Sequence, residues 1–308
     1  MATAGATIVL TSRTAAKGEK AVEAVQSYIS SKGVQNSKIF NLVLDLDDLE
    51  STKAFPASYK NLGLGEISVL MNNAGVMAIP EREITKDGFE RTFQSNHLGH
   101  FVLTAGLFPF LSRSKTTVIN ISSTAYQMTG GKFDLDNLNG EKNYGAWSSY
   151  GLSKLSNIYF TKELQRRADE SGDSSWLTAV TMHPGVVQTE LVRNIAGEEK
   201  WNKIKNNNAS PVEMFFLNSL SKFTLTVEQG ASTQVFLAAG ADGNLQKAAF
   251  YDDMKVFNLP AFTNDASKAK QLWEISESLG GVEFKLSDKK TVASSDTTAA
   301  KEENTSSS

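Results

Sequence analysis

The chain has 308 residues, with 31 basic against 34 acidic side chains, a formal net charge of −3, three histidines and no cysteine. That balance argues against nucleic acid as a partner, and the lack of cysteine excludes disulfides, thiolate nucleophiles, iron–sulfur clusters and cysteine-ligated zinc. His97, His100 and His183 are too few and too badly spaced for a metal site.

In chain order, five β-branched runs read as strands: "ATIVLTS" (6–12), "SKIFNLVLDL" (37–46), "ISVLMNNAG" (67–75), "TTVINISS" (116–123) and "LTAVTMHPG" (177–185). Segments with a period near 3.6 lie between them, which predicts an α/β fold: a doubly wound parallel sheet with helices on both faces. Most of the runs are apolar throughout, as strands buried on both faces are. Each ends in small or polar residues, and in open α/β sheets ligands sit just beyond the carboxyl ends of strands. The stretch "FVLTAGLFPFL" (101–111) falls well short of the roughly 20 residues that span a bilayer, so it reads as a buried helix.

Residues 1–286 read as one domain, since nothing in the spread of apolar residues divides them. Within "SPVEMFFLNSLSKFTL" (210–225), Val212, Phe215, Phe216, Leu220 and Phe223 share one helical face, suited to core packing, to a pocket wall or to contact with a membrane surface. Residues 287–308 are polar and low in complexity and are expected to be disordered. No basic-then-apolar leader opens the sequence. The cytoplasm is the default compartment, and a targeting segment upstream is the alternative.

The sharpest chemical signal is "SSYGLSK", in which Tyr150 and Lys154 stand four residues apart and so share a helix face. A phenol with pKa near 10 is a poor acid–base catalyst at neutral pH, and lowering it by about three units takes roughly 4 kcal/mol. One ammonium at about 4 Å supplies about that much at an effective dielectric near 20. Upstream, "VINISSTAY" ends a strand in Ser122 and Ser123, where a hydroxyl would meet a carbonyl oxygen as charge develops on it. Serines in that position also serve merely as turn residues. Asn96 lies inside a helical pattern, a poor place for asparagine unless its backbone or amide is in use. The small residues of "MNNAG" let a flat ligand approach the backbone.

The ordered set Asn73-Ala74-Gly75, Asn96, Ser123, Tyr150-x-x-x-Lys154 and Pro184-Gly185-x-Val187-x-Thr189 resembles the short-chain dehydrogenase/reductase superfamily. Within it, "NHLGHF", "YGLSKLSN", "HPGVVQTEL", "TVEQGAST" and "LWEISESLGG" resemble the retinol dehydrogenase and WW-domain oxidoreductase branch, over roughly residues 5–285. The resemblance implies a Rossmann-like fold and an oxidoreductase that interconverts a carbonyl and an alcohol with a nicotinamide cofactor. It also implies that Tyr150 exchanges the proton, Lys154 lowers its pKa and binds the nicotinamide ribose, Ser123 holds the carbonyl, and Asn96 helps to order a relay water. Pro184, Gly185, Val187 and Thr189 would hold the carboxamide end of the ring. Asp45 matches the adenine-contacting acid, with a solvated loop aspartate as the alternative. Where a site selective for NAD offers an acid, this strand ends in Arg13, followed by Lys17. A guanidinium suits a 2′-phosphate, so NADP(H) is favoured over NAD(H). His97 and His100 read as packing or interface residues, and His183 as structural.

The family's phosphate cradle is a glycine-rich turn between a first strand and a helix. It is expected ahead of the strand that ends in Arg13, and the sequence begins too late to contain it. Neither "NLGLGE" (61–66) nor "TGGKF" (129–133) opens a helix behind a strand, so neither replaces it. The expectation is an N-terminally incomplete reductase whose sheet is open in the middle, acting on an apolar substrate such as a retinoid, steroid or lipid aldehyde. The alternatives are a non-catalytic interaction protein and a relative of protochlorophyllide reductase, whose implied cysteines this chain lacks. The superfamily often pairs subunits through the helices that carry Asn96 and Tyr150, so a homodimer is also expected.

Overall fold

Each of the five β-branched runs contains a strand, all of them parallel, in a computed structural model that describes residues 1–34, 37–172, 174–185, 225–240 and 243–286. Strand β1 (Ile8–Ser12) leads into helix α1 (Ala15–Ser31), whose first turn is capped by Thr14. Strand β2 (Ile39–Val43) pairs with β1 from Ile8↔Ile39 to Ser12↔Val43. Helix α2 (Leu49–Asn61) follows, its N-terminal amides of Glu50 and Ser51 bound by the Asp48 carboxylate, a short polar acceptor well matched to those unpaired donors. Next comes β3 (Val69–Asn72). A continuous helical segment then comprises α3 (Arg91–Phe93), a π-helical turn (Gln94–Leu98) and α4 (Gly99–Leu107). Strand β4 (Thr116–Ile121) is buried at all six positions, as a strand covered on both faces must be.

The longest helix, α5 (Ala146–Glu170), is followed by β5 (Leu177–Met182). Helix α6 (Val227–Ala238) starts with a capping box of Thr226 and Gln229. Two short strands that the sequence pattern does not single out, β6 (Phe250–Asp252) and β7 (Lys255–Phe257), form a hairpin, and β6 extends the sheet from β5. Helix α7 (Ala266–Gly280) ends where Gly281 turns left-handed at φ 56°.

The strands form two sheets, β1-β2 and β3-β4-β5-β6-β7. The break lies between β1 and β3, where the sheet is expected to be open. Val9 and Leu42 of the smaller sheet still pack against the main core. Strand ends and loops of both sheets line one cleft, since Thr11, Leu44, Asn73, Ile121 and Pro184 all border it.

The predicted buried helix at 101–111 is α4 with the 3-10 turn Phe108–Phe110 behind it, and Phe101, Val102, Leu107 and Leu111 are all at most 2% exposed. Phe101 meets Trp273 edge-on at 5.0 Å, and Trp273 stacks on Phe284 at 4.7 Å. Helix α7 thus lies against both α4 and α5, whose outer face is where the family resemblance puts subunit pairing. The apolar stripe of α7, with Ala269, Leu272 and Trp273, joins the main core there. Residues 210–224 of the apolar stretch and the tail 287–308 lie outside the described residues.

Candidate active site

Helix α5 carries Tyr150 and Lys154 one turn apart, and both are buried, at 7% and 4% exposure. The Lys154 Nζ lies 5.6 Å from the centre of the Tyr150 ring and donates to the Ile121 carbonyl at 3.1 Å. The Ser122 hydroxyl donates to the Lys154 carbonyl at 2.8 Å and so ties the end of β4 to the same turn of α5. Gly151 allows a still closer approach: a Cβ there would stand 2.5 Å from the Ala125 carbonyl oxygen. Because α5 presses against the 3-10 turn Thr124–Thr129, Ser123, which caps that turn, reaches the Tyr150 phenol with a hydrogen bond.

Burial raises the Tyr150 pKa, with the Ser123 bond opposing the rise, and burial lowers Lys154 to about 8. In the protein alone the buried phenol is thus held above its ordinary value. Desolvation of a buried phenolate outweighs the pull of the ammonium. At neutral pH the pair is a protonated phenol beside a largely charged lysine, which is the form suited to donating a proton.

Asn96 sits in the π-helical turn, a feature frequent at functional sites. Its Oδ1 accepts from the Val76 amide at 2.8 Å, and its Nδ2 donates to the Val76 carbonyl and the Ser153 hydroxyl, both at 2.9 Å. The amide is thus fully engaged in pinning the loop after β3 to α5. Its backbone carbonyl accepts from His100 Nδ1 at 3.0 Å. Gly75, in the same loop, lets Asn73-Ala74-Gly75 come up to Asn96 and Lys154. Asn73 Oδ1 in turn accepts from Gln234 Nε2 of α6 at 2.7 Å.

A second set of buried polar residues escapes the sequence reading. Asn72 Nδ2 donates to Thr104 Oγ1 (2.9 Å) and to Asn120 Oδ1 (2.7 Å), and Asn120 Nδ2 donates to Thr161 Oγ1 (2.8 Å). This ladder links α4, β3, β4 and α5 through the core. Polar residues in otherwise apolar strands were its signal, since buried amides require partners. His97 and His100 are also buried and stay neutral, with burial lowering them to about 3 and about 4. His97 packs against Phe93, Phe101 and Phe160.

Ser123, Tyr150 and Lys154 line a cleft of about 1030 Å³ together with Asn73, Ala74, Gly75, Pro184 and Gly185, whereas Asn96 stands behind its wall. Arg13, Lys17 and Asp45 line the same cleft at the ends of β1 and β2. The Arg13 guanidinium is half exposed and stands 3.8 Å from Asp47, a carboxylate held more closely by Arg91 at 2.9 Å. Asp45 shapes a turn, its Oδ1 accepting from the Asp47 amide at 3.0 Å. The structure adds Val227, Gly230, Ala231 and Gln234 of α6 to the cleft wall. Val187 and Thr189 lie outside the described residues.

A nicotinamide dinucleotide fits this cleft at its two ends. Gly75 brings backbone to the lining beside Lys154, and Arg13 and Lys17 offer cationic groups at the other end. Among the described residues, the lining glycines, Gly75, Gly185 and Gly230, lie in two loops and inside α6, so none opens a helix toward a pyrophosphate.

Residues 1–135 match the short chain dehydrogenase family. Human retinol dehydrogenase 11 is 35% identical over 286 residues, which cover 92% of this chain and 80% of that protein. The chain belongs to the short-chain dehydrogenase/reductase family. Within this family it falls in the retinol dehydrogenase-like branch: mouse retinol dehydrogenase 12 is 33% identical over 288 residues, 92% of this chain and 81% of that protein. Among solved structures, an uncharacterized protein from Mycobacterium paratuberculosis superposes with a TM-score of 0.67 at 30% identity, covering 92% of this chain and 87% of the other. As a short-chain dehydrogenase/reductase, the chain carries its Tyr-x-x-x-Lys pair where the strand ends and loops of the two half-sheets meet.

Proposed function

We propose that this oxidoreductase uses NADP(H) to interconvert a carbonyl and an alcohol on an apolar substrate of the retinoid, steroid or lipid aldehyde class. The observation that carries the reading is the Ser123–Tyr150–Lys154 cluster in the cleft, with Tyr150 and Lys154 buried. A bound nicotinamide supplies or accepts the hydride. In reduction, the Ser123 hydroxyl holds the substrate oxygen and the Tyr150 phenol gives it a proton. The Lys154 ammonium, one turn along the helix, then stabilises the phenolate that remains. Asn96 keeps the loop around Gly75 in register, so the ring has a fixed wall to lie against.

Arg13 and Lys17 favour NADP(H), because two cations suit the extra phosphate. The exposed side chains of Met128 and Trp147 at the mouth of the cleft favour an apolar substrate. Among the described residues no helix is long and apolar enough to cross a membrane. A second reading, a non-catalytic interaction protein on the same fold, draws on the lack of a glycine-rich turn among the described lining residues.

Fluorescence titration of NADPH and NADH against the protein tests both readings. NADPH is expected to bind about tenfold or more tightly than NADH, with Arg13→Ala erasing the difference. Equal affinities would remove the NADP(H) preference, and binding of neither dinucleotide would favour the non-catalytic reading.

A further inference from the structure

His183 follows β5 and stands directly before the Pro184-Gly185 turn, which borders the cleft. Both of its ring nitrogens are engaged. The Gly185 amide donates to Nδ1 at 3.1 Å, and Nε2 lies 3.1 Å from Asp252 Oδ1 on β6. An Nδ1 that accepts a hydrogen bond in a neutral ring leaves the proton on Nε2, so the Asp252 contact selects one tautomer. The ring also stacks on Phe250 at 5.9 Å and 25°. Gly185 has φ +76°, a left-handed conformation, and a Cβ on it would meet Leu225 Cδ1 at 2.5 Å. The turn is thus held from one side by the imidazole and closed from the other by Leu225.

We propose that His183, with Asp252 fixing its tautomer, is a positioning residue that locks the Pro184-Gly185 turn at the rim of the cleft. Each contact has a separate part. Phe250 fixes the plane of the ring, Asp252 fixes its proton, and Nδ1 holds the Gly185 amide in the left-handed turn. A group bound between this turn and Lys154 would then meet a preformed wall, with no ordering cost on binding. Only the binding arm of the test rests on the proposed function.

Two substitutions separate hydrogen bonding from packing. His183→Phe keeps a ring on Phe250 and loses both polar contacts. His183→Asn loses the stack and offers Oδ1 as an acceptor two residues before the Gly185 amide. Nitrogen NMR of the wild type should show a bare Nδ1 and a protonated Nε2. Hydrogen exchange at Gly185 should speed up about tenfold or more in His183→Phe and stay near wild type in His183→Asn. Dissociation constants for NADPH should follow the same order. The opposite tautomer in the wild type, or unchanged Gly185 exchange in His183→Phe, would overturn the inference. If the wild type binds no dinucleotide, the functional reading falls, while the tautomer and the exchange rates still decide the role of His183.

Discussion

Gly75 lies so close to Asn96 that a Cβ in its place would stand 2.8 Å from the Asn96 Oδ1. The amide cannot swing aside, because both its ends are held by Val76 and Ser153. Gly75→Ala should therefore displace the loop and cost about 1–3 kcal/mol of stability, as overpacking does. Denaturant unfolding midpoints measure it. A variant as stable as the wild type would show that the loop yields freely and that Asn96 does not fix it.

Tyr150 and Lys154 make a prediction about pH. Lys154 is lowered to about 8 by burial, so its ammonium is present below that value and lost above it. Carbonyl reduction should fall as pH rises through about 8, and Lys154→Arg should move that limb upward. Tyr150→Phe should reduce turnover by a factor on the order of 10²–10⁴, the usual contribution of a positioned acid, with NADPH affinity nearly intact. Undiminished turnover in that variant would remove Tyr150 from the chemistry.

Gly151 tests whether Ser123 is placed by packing. The atom a Cβ would strike, 2.5 Å away, is the backbone oxygen of Ala125, which has no rotamer to change. Gly151→Ala should push α5 off the turn that Ser123 caps and lower kcat, although no reacting group is removed. Retention of full kcat, measured beside the melting temperature, would show that Ser123 reaches the phenol without that contact.

The buried histidines predict acid lability. Burial lowers His97 to about 3 and His100 to about 4, from 6.5. Between those values and 6.5 the unfolded chain binds more protons than the folded one, so stability rises with pH across that window. The contribution is complete above pH 6.5 and is lost as pH falls toward 3–4, by on the order of several kcal/mol for the pair. Unfolding midpoints at a series of pH values measure the slope. His100→Gln should flatten it, and an unchanged slope in that variant would assign the effect to other groups.

Much of the architecture is legible in short stretches of sequence. The apolar runs at 6–12, 37–46, 67–75, 116–123 and 177–185 each contain a strand because a strand covered on both faces has no solvent side on which to place polar residues. The hairpin of β6 and β7 is not legible in this way. Its strands are three residues each, too short to show a period, and β7 is exposed throughout. The placement of α7 is equally hidden: its apolar stripe says that it packs, and only the surface left free on α4 and α5 says where.

By itself the sequence determined the helix face shared by Tyr150 and Lys154, the strand that brings up Ser123 and the cationic end at Arg13, because backbone periodicity alone sets these spacings. Only the tertiary structure decided that the Asn96 amide is occupied with Val76, that burial and not the ammonium governs the phenol, that α7 covers the α4 and α5 face, and that His183 reaches Gly185 and Asp252 together. Those outcomes depend on which distant groups share a dry, close-packed space, and desolvation and steric fit act only once the chain has closed around them.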